Sequence, residues 1–188
     1  MAPSSPPARA FIPLRVAVVT VSDSRTSVDD HSGAYLATAL REAGHLEPER
    51  VIVRDELEDI RGCVEALVAR DDIDIVLTTG GTGFAARDVT PDAVAPLATR
   101  QIPGFGELFR RLSFEEVGTS TIQSRADAFQ CGDTFVFVLP GSTGACRLAM
   151  GSILLDQLDH RHRPCNFAEL LPRIDSRKST GTGNPGES

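Results

Sequence analysis

Apolar and polar residues alternate in blocks along the chain, and each block predicts one element of secondary structure. Residues 15–21 (RVAVVTV) are nearly all apolar, as is typical of a strand that is buried on both faces of a sheet. Residues 32–43 then bring apolar side chains to one face at helical spacing, and Gly44 stands where such a helix ends. The same patterns predict strands at 50–54, 73–79 and 134–139, and helices at 60–69, from Thr90, around 105–112, at 121–129 and at 144–158.

Strands that alternate with helices at these spacings indicate an α/β protein. We expect a three-layer fold in which a mostly parallel sheet carries helices on both faces. Residues 11–174 are predicted to form a single domain, and the segments 1–10 and 175–188 are predicted to be disordered tails because they have little to bury. In such sheets ligands bind beyond the carboxyl ends of the strands, so the loops that follow the strands are the ones to search for chemistry.

Composition and charge exclude several classes of protein. The 188 residues carry a net charge of −7, which argues against a general binder of nucleic acid or acidic membranes because such a protein needs a basic face. The four cysteines form no CxxC pair and none has zinc-ligand spacing to a histidine, so we expect free thiols. The first residues lack the apolar core of a signal peptide, and no apolar run is long enough to span a membrane. We therefore expect a cytoplasmic protein with no nucleic-acid or membrane partner.

The loop after the third predicted strand is poor in side chains. It reads TTGGTGFAARD over residues 78–88 and is called the glycine loop. Glycine has no Cβ, so backbone N–H groups can approach an anion such as a phosphate closely. The loop has neither the lysine of a P-loop nor the spacing of the Rossmann motif, and a tight strand-to-helix turn is the alternative interpretation. The residues that we expect to bind ligand phosphate here are Thr79, Gly80, Gly81, Thr82, Gly83 and Arg87.

Two aspartates follow neighbouring strands and are candidates for a metal site. Asp88 ends the glycine loop, and Asp55 comes directly after the second strand. Both would lie near the same edge of the sheet, where their carboxylates could hold Mg²⁺ directly or through its waters and offset the charge of a polyphosphate. In the alternative interpretation Asp55 merely begins a solvated acidic segment, DELED, and Asp88 caps a turn ahead of Thr90, the predicted N-cap of the next helix.

The loop after the last strand is a second candidate anion site. It reads PGSTGACR over residues 140–147 and is called the PGS loop. Ser142 or Thr143 can cap the following helix, which leaves the other first-turn N–H groups for an anion. An ordinary glycine-rich connection with a serine cap is the alternative. The candidate binding residues of this loop are Gly141, Ser142, Gly144 and, one turn into the helix, Arg147.

The loop after the first strand, SDSRTSVDDHSG at residues 22–33, is called the first loop. Ser22 and Asp23 directly follow a buried strand, so we expect both to face the same cleft as the other loops. Asp30 or Ser32 is predicted to cap the next helix. His31 lies in a polar loop and His160 and His162 lie at a predicted helix end, and the sequence offers no Ser–His–Asp or Cys–His arrangement for nucleophilic catalysis.

These loops, in this order, resemble the MoaB/MogA family of molybdenum cofactor biosynthesis proteins. The resemblance covers roughly residues 12–172 and rests on five motifs spread along the chain. Two segments, GTSTIQSRA and PGSTGACRLA, together with the late RPCNF, resemble the MoaB branch most. The five motifs are SDSRTSVDDHSG, TTGGTGFAARDVTPDA, PGFGELFR, LSFEEVGTSTIQSRA and LPGSTGACR.

The resemblance implies a molybdopterin-binding α/β fold and an assembly that is a homotrimer or a homohexamer. Active members use Mg-ATP to adenylylate the terminal phosphate of molybdopterin with release of pyrophosphate, and a separate partner protein then helps to insert molybdate. The family's phosphate-holding glycine loop matches Thr79–Gly83, and its two motif aspartates match Asp88 and Asp55. Its PGS-type loop matches Gly141, Ser142 and Gly144.

Three functions stay open at this point. Some MoaB proteins lack the RDVTP arrangement and are not active adenylyltransferases; this chain keeps Arg87, Asp88 and Asp55, which favours an enzyme. The MoaB-type PGS loop leaves room for a non-catalytic molybdopterin-binding carrier. An unrelated doubly wound nucleotide-binding domain is the third alternative. In the enzyme the attacking phosphate is already a nucleophile, so Asp88 and Asp55 are expected to organise metal and water rather than to accept a proton.

Overall fold

The computed structural model describes residues 9–46 and 48–171, and these residues form one six-stranded sheet with helices on both faces. The predicted tail 175–188 and all but the last two residues of the predicted tail 1–10 lie outside the described residues. No helix in the described ranges is long and apolar enough to cross a membrane.

The sheet is mostly parallel, as the alternating pattern predicts. Its strand order is β2-β1-β3-β6-β5-β4, in which β1, β2, β3 and β6 are mutually parallel, and β5 runs antiparallel to both β6 and β4. The strands are β1 Val16–Val21, β2 Glu49–Val53, β3 Ile75–Thr79, β4 Arg100–Gln101, β5 Asp127–Cys131 and β6 Thr134–Leu139. The helices are α1 His31–Glu42, α2 Leu57–Val68, α3 Thr90–Val94, α4 Pro103–Val117, α5 Thr143–Ala149 and α6 Leu155–Gln157, with a π-helical segment Met150–Leu154 that joins α5 to α6.

Two apolar cores, one on each face, hold the three layers together. Successive side chains of a strand point to opposite faces, so Val18 of β1 packs with α1, α4 and α5 while Val19 packs with α2 and α3. The central strands β1, β3 and β6 are buried along their whole length, which explains why their sequences are apolar runs rather than alternating ones.

The helix predicted at 121–129 is wrong. Residues Gly118–Gln123 form a 3₁₀ segment, and the chain then enters β5, which pairs Phe129 with Val136 of β6. Ile122, Ala126 and Phe129 fall at helical spacing, which is the origin of the error. Ala128 and Phe129 are buried in the two opposite cores, and this burial on both faces of the sheet outweighs the local periodicity. The two-residue edge strand β4 was also not predicted.

Candidate phosphate and metal site

Three loops meet at the carboxyl ends of β1, β3 and β6, and Gly80 lies where they touch. The Gly80 N–H donates to the carbonyl oxygen of Leu139 at 3.1 Å. A Cβ on Gly80 would lie 2.3 Å from the carbonyl oxygen of Val21, and a Cβ on Gly141 would lie 3.2 Å from the Gly80 Cα. The close approach of the first loop, the glycine loop and the PGS loop therefore depends on the absence of side chains at these positions.

The start of the glycine loop adopts a conformation that suits glycine. Gly80 and Gly81 have φ values of 113° and 62°, both in the left-handed region. Thr90 holds this bend, since its Oγ1 donates to the Gly80 carbonyl at 2.8 Å and its N–H donates to the Gly81 carbonyl at 3.0 Å. The prediction that Thr90 is the N-cap is wrong: Val89 occupies that position, and the buried Thr90 hydroxyl is used to tie the loop to the helix.

Several N–H groups of the glycine loop are available to a ligand. Within residues 9–46 and 48–171, the peptide N–H groups of Gly81, Thr82, Gly83 and Phe84 have no hydrogen-bond acceptor. Backbone N–H groups that lack a partner in the protein are normally satisfied by water or by a ligand. The loop thus presents a short row of donors with the properties expected of an anion cradle.

Asp88 folds back over this row of donors. Its Oδ2 accepts the Ala85 N–H at 2.8 Å, and a Cβ on Gly83 would lie 2.7 Å from that oxygen. Asp88 does close a turn, because its N–H donates to the Ala85 carbonyl at 2.9 Å. The two interpretations of Asp88, as a turn residue and as a metal ligand beside the glycines, are therefore compatible, because the turn places its carboxylate against Gly83.

Asp55 lies in an acidic cluster on the other side of the same bend. A Cβ on Gly81 would be 3.1 Å from Asp55 Oδ1, and the Asp55 N–H donates to Asp23 Oδ1 at 3.3 Å. Arg87 is the cation of this cluster, with its Nη2 2.9 Å from Asp23 Oδ2 and 3.3 Å from the Asp55 carbonyl oxygen. Burial and the charges of Asp23 and Asp88 raise the pKa of Asp55, although Arg87 opposes the shift. The cluster therefore favours a proton or a cation at Asp55.

The two aspartates fit a hydrated magnesium ion better than a metal held by protein ligands alone. No group of three or more His, Cys, Asp or Glu side chains suited to a metal is found in the described ranges. Mg²⁺ commonly takes only one or two carboxylates and completes its shell with water and phosphate oxygens. Burial is the largest cause of the raised pKa of Asp55 and the charges of Asp23 and Asp88 add to it, so a bound cation would favour the charged carboxylate. Asp55 and Asp88 thus have the donor chemistry and the surroundings that the predicted ion requires.

The PGS loop borders both the cleft and a cavity. Ser142, rather than Thr143, caps α5, since its Oγ accepts the Ala145 N–H at 3.2 Å. The Gly141 carbonyl accepts from Arg25 Nη2 at 3.3 Å, which links this loop to the first loop. Ser142 and Gly144 also line a cavity of about 230 Å³ between α4 and α5.

Three predicted binding residues use their side chains elsewhere. The buried Thr79 hydroxyl donates to the Pro140 carbonyl at 2.9 Å, and Ser22 Oγ accepts the Arg25 N–H at 3.2 Å within the first loop. The Arg147 guanidinium lies 5.4 Å from the centre of the Tyr35 ring on α1, and within the described residues it makes no hydrogen bond or ion pair. Their roles in ligand binding stay predictions.

A buried carboxylate at the start of α1 contrasts with Asp55. Asp30 caps α1 by accepting the Gly33 N–H at 2.9 Å, and it also accepts from Thr20 Oγ1 and Arg50 Nη2, both at 2.8 Å. Burial alone raises the pKa of Asp30, but the hydrogen bonds from Arg50, Gly33 and Thr20 outweigh it, so the pKa ends below its ordinary value. This carboxylate is fully engaged in holding the first loop.

Sequence reasoning missed one residue that contacts the glycine loop at several points. Arg125 donates from Nε to the Gly83 carbonyl at 2.8 Å and from Nη2 to the Asp88 carbonyl. The pattern gave no sign of it, because the residue falls within the segment that was predicted as a helix. The partners lie 42 and 37 residues away in the chain, so the strand order is needed to bring them together.

Comparison with known proteins supports the family resemblance that the sequence motifs indicate. A family model described as "Probable molybdopterin binding domain" matches residues 17–160. The molybdenum cofactor biosynthesis protein B of Escherichia coli (strain K12) is 52% identical over 163 residues, which are 87% of this chain and 96% of that protein. The protein of the same name from Bacillus anthracis is 47% identical over 148 residues, covering 78% and 88%. A crystal structure of molybdenum cofactor biosynthesis protein B matches with a TM-score of 0.76 at 45% identity, covering 80% of this chain and 94% of that one.

The family match covers five strands in full and all but the first residue of β1, and the named relatives are molybdenum cofactor biosynthesis proteins, as the loop motifs predict. The structural neighbour shares the mostly parallel sheet and its helices. The chain therefore belongs to the MoaB/MogA family of molybdenum cofactor biosynthesis proteins and has that family's molybdopterin-binding fold.

Proposed function

We propose that this protein adenylylates molybdopterin in molybdenum cofactor biosynthesis, with Mg-ATP as the donor of AMP. The observation that supports the proposal is the meeting of two glycine turns at Gly80, with Asp55 and Asp88 on either side of the bend. In this reaction a terminal phosphate oxygen of molybdopterin attacks the α-phosphorus of ATP. The bond from that phosphorus to the β-phosphate bridging oxygen breaks, and pyrophosphate leaves with the electron pair.

Two polyanionic reactants repel each other, so the principal task of the site is to hold them together. Free N–H groups of the glycine loop provide donors for one phosphate chain without adding a side chain that would block the other. The PGS loop touches Gly80, so a second anion held there would lie beside the first. Fixed donors of this kind accelerate a reaction by positioning and by electrostatic stabilisation.

Asp55 and Asp88 would hold the magnesium ion, directly or through water. When bound, the ion would neutralise charge on the polyphosphate of ATP. Arg87 stays close to Asp55, since its Nη2 pairs with Asp23 and lies 3.3 Å from the Asp55 carbonyl oxygen. No residue of the cluster needs to remove a proton, because a phosphate oxygen is already a competent nucleophile.

The decisive experiment incubates the purified protein with molybdopterin and Mg-ATP and measures both products. We expect pyrophosphate release and a new adenylylated pterin on chromatography, each dependent on the pterin, on ATP and on Mg²⁺. Pyrophosphate release without the pterin would instead indicate a general nucleotide hydrolase. A protein that binds the pterin but releases no pyrophosphate under any of these conditions would contradict the proposal.

A carrier that binds molybdopterin without transferring AMP is the second candidate function. The ion pairs of Arg87 favour the carrier. Arg87 is held by Asp23, and by Glu56 at 2.8 Å, so its charge is already paired within the protein. Both candidates require pterin binding. The carrier predicts equal pterin affinity with and without Mg-ATP and no formation of pyrophosphate.

We further infer that the protein acts as a homotrimer or homohexamer and hands its product to a molybdate-insertion partner. Phe114, Val117 and Ile122, at the end of α4 and in the 3₁₀ segment that follows, are exposed large apolar side chains close together in the chain. Such groups commonly mark protein interfaces. Light scattering coupled to size-exclusion chromatography distinguishes three copies from six, and a monomer would contradict the inference.

A further inference from the structure

Arg125 binds the glycine loop along most of its length. Its backbone N–H donates to the Thr82 carbonyl at 3.0 Å, its Nε donates to the Gly83 carbonyl at 2.8 Å, and its Nη2 donates to the Asp88 carbonyl. Nη1 completes the set with an ion pair to Asp92 at 2.8 Å. One residue that stands just before β5 thus contacts the segment that carries the free N–H groups, at Thr82 and Gly83, and the last residue of the glycine loop, Asp88.

These contacts determine which way the N–H groups of the loop point. The peptide unit is planar and trans, so its C=O and N–H bonds point in opposite directions. Because the Thr82 and Gly83 carbonyls are directed at Arg125, the N–H groups of Gly83 and Phe84 are directed away from it. Those two N–H groups are among the donors without an acceptor in the described part of the chain.

An arginine is suited to this task in a way that other residues are not. The guanidinium is a rigid planar fork, and here it contacts carbonyls that lie five residues apart in the chain. Its side chain is 26% exposed, and its Cζ lies 5.5 Å from the centre of the Phe84 ring, which covers one face. A lysine has a single charged nitrogen on a flexible stem and could not reproduce both contacts in a fixed geometry.

We propose that Arg125 is a positioning residue that aims the free N–H groups of the glycine loop at a substrate phosphate. Its side chain acts through the Gly83 and Asp88 carbonyls, and its backbone N–H, which any residue at this position keeps, holds the Thr82 carbonyl; Arg125 touches no substrate itself. The same contacts hold the Asp88 backbone, so Arg125 also sets where that carboxylate stands relative to the cradle. The proposal rests on the proposed function for its substrate, but its central claim concerns the binding of a phosphate anion by this loop.

The test measures anion binding and turnover separately. Arg125→Ala and Arg125→Lys are compared with the wild-type protein and with Arg100→Ala, a control arginine on β4 that is exposed and donates to the Gln130 side chain. The probe for binding is inorganic pyrophosphate with Mg²⁺, followed by titration calorimetry well below each variant's melting temperature. Turnover is the kcat and KM of AMP transfer from Mg-ATP to molybdopterin.

We expect Arg125→Ala to weaken pyrophosphate binding by about 10-fold or more and to lower kcat by roughly 100-fold, because small displacements of positioning groups have effects of this size. Arg125→Lys should recover less than half of the lost binding, and Arg100→Ala should match the wild type. A purely structural role would lower the melting temperature and scale activity with the folded fraction, but it would leave the pyrophosphate affinity of the folded molecules unchanged.

Folded Arg125→Ala that binds pyrophosphate as tightly as the wild type would overturn the proposal, as would a wild-type protein that does not bind pyrophosphate. If Arg125→Ala does not fold, the affinity of folded Arg125→Lys decides by the same criterion. The proposed function fails separately: wild-type protein whose pyrophosphate binding depends on Arg125, but which forms no adenylylated pterin, would leave the positioning role intact and exclude the transferase.

Discussion

Two aspartates at the same edge of the sheet have opposite electrostatic surroundings. Asp30, 2% exposed, accepts hydrogen bonds from a backbone N–H, a hydroxyl and an arginine, and its pKa is lowered. Asp55 stands among other acids, and its pKa is raised by burial and by Asp23 and Asp88. All the hydrogen bonds around Asp30 are made, while around Asp55 the one nearby cation, Arg87, does not outweigh burial and the neighbouring acids.

This difference separates a carboxylate that the fold uses from one that is proposed to bind a ligand. A carboxylate whose hydrogen bonds are all made is held in its charged form by the fold, whereas a carboxylate left among like charges costs stability that a bound cation would offset. Perturbed acids of the second kind cluster at active sites. The comparison places Asp30 in the architecture of the first loop and supports the proposed role of Asp55, and it leads to variants in which activity and stability should respond in opposite directions.

The largest effect is expected from Asp55→Asn. Loss of this carboxylate should lower kcat for AMP transfer by about 100- to 1,000-fold, because one charged group that stabilises the transition state is worth this much in comparable sites. The melting temperature should stay the same or rise, since the repulsion from Asp23 and Asp88 is relieved. Pyrophosphate release and thermal unfolding measure the two quantities on the same preparation.

Glu58→Gln is the control, because Glu58 lies in the same acidic segment but pairs with Arg61 on the exposed face of α2. It should leave both measurements unchanged. Asp55→Asn protein with normal turnover would remove Asp55 from the site and leave its raised pKa without a functional meaning.

Asp30→Asn should show the reverse pattern, with a large loss of stability. The amide keeps the shape of the side chain but leaves Arg50 without its charged partner and can no longer accept all three hydrogen bonds. Disruption of a mostly buried pair of this kind costs about 3 kcal/mol in the free energy of unfolding. Urea unfolding followed by circular dichroism measures the loss.

Asp133→Asn, in the exposed turn between β5 and β6, is the matched control and should change the free energy of unfolding by less than about 0.5 kcal/mol. If Asp30→Asn lowered the free energy of unfolding as little as Asp133→Asn, the hydrogen bonds around Asp30 would not be the main support of the first loop. Asp30 would then no longer be the structural counterpart of Asp55.

The contact between the two glycine-bearing loops is open to a smaller test with a close control. In Gly141→Ala the new Cβ would lie 3.2 Å from the Gly80 Cα, so one backbone must move away from the other. Overpacking of this kind costs about 1–2 kcal/mol. Gly144→Ala places a Cβ in open space three residues later, at the start of α5, and should be neutral or slightly stabilising.

Thermal and urea unfolding of the two variants measure the difference. Equal stabilities would mean that the loops are not pressed together at Gly80. That result would weaken the argument that two anions can be held side by side at the carboxyl ends of β3 and β6.

The sequence predicted those features that depend on a single continuous segment of the chain. Central strands buried on both faces are apolar runs, and the glycines at the strand ends revealed both loops before any contact was known. The partnerships of Asp30 with Arg50 and of Arg125 with Gly83 were not predictable, because they join residues 20 and 42 positions apart. They depend on which strands are neighbours, and β5 itself was mistaken for a helix. The contacts of Arg125 with backbone carbonyls also leave no trace in the sequence, because every residue type has a backbone carbonyl.

The smallest expected effect is the pH dependence of stability, in which the two aspartates should act in opposite senses. The pKa of Asp30 is lowered in the folded state, so its stabilising contribution is present above the ordinary carboxyl range and is lost as the pH falls through the folded pKa. The pKa of Asp55 is raised, so its contribution is present at acid pH and is lost as the pH rises through the folded pKa.

Urea unfolding from about pH 3 to about pH 8 should therefore show two diverging differences from the wild type. The deficit of Asp30→Asn should shrink toward the acid end, while any gain in stability of Asp55→Asn should appear only toward neutral pH. Mg²⁺ with pyrophosphate should cancel the second difference and leave the first unchanged, because only the Asp55 cluster is expected to receive the cation. If the ligand stabilised Asp55→Asn as much as the wild type, the cation of the ligand would not be bound at Asp55.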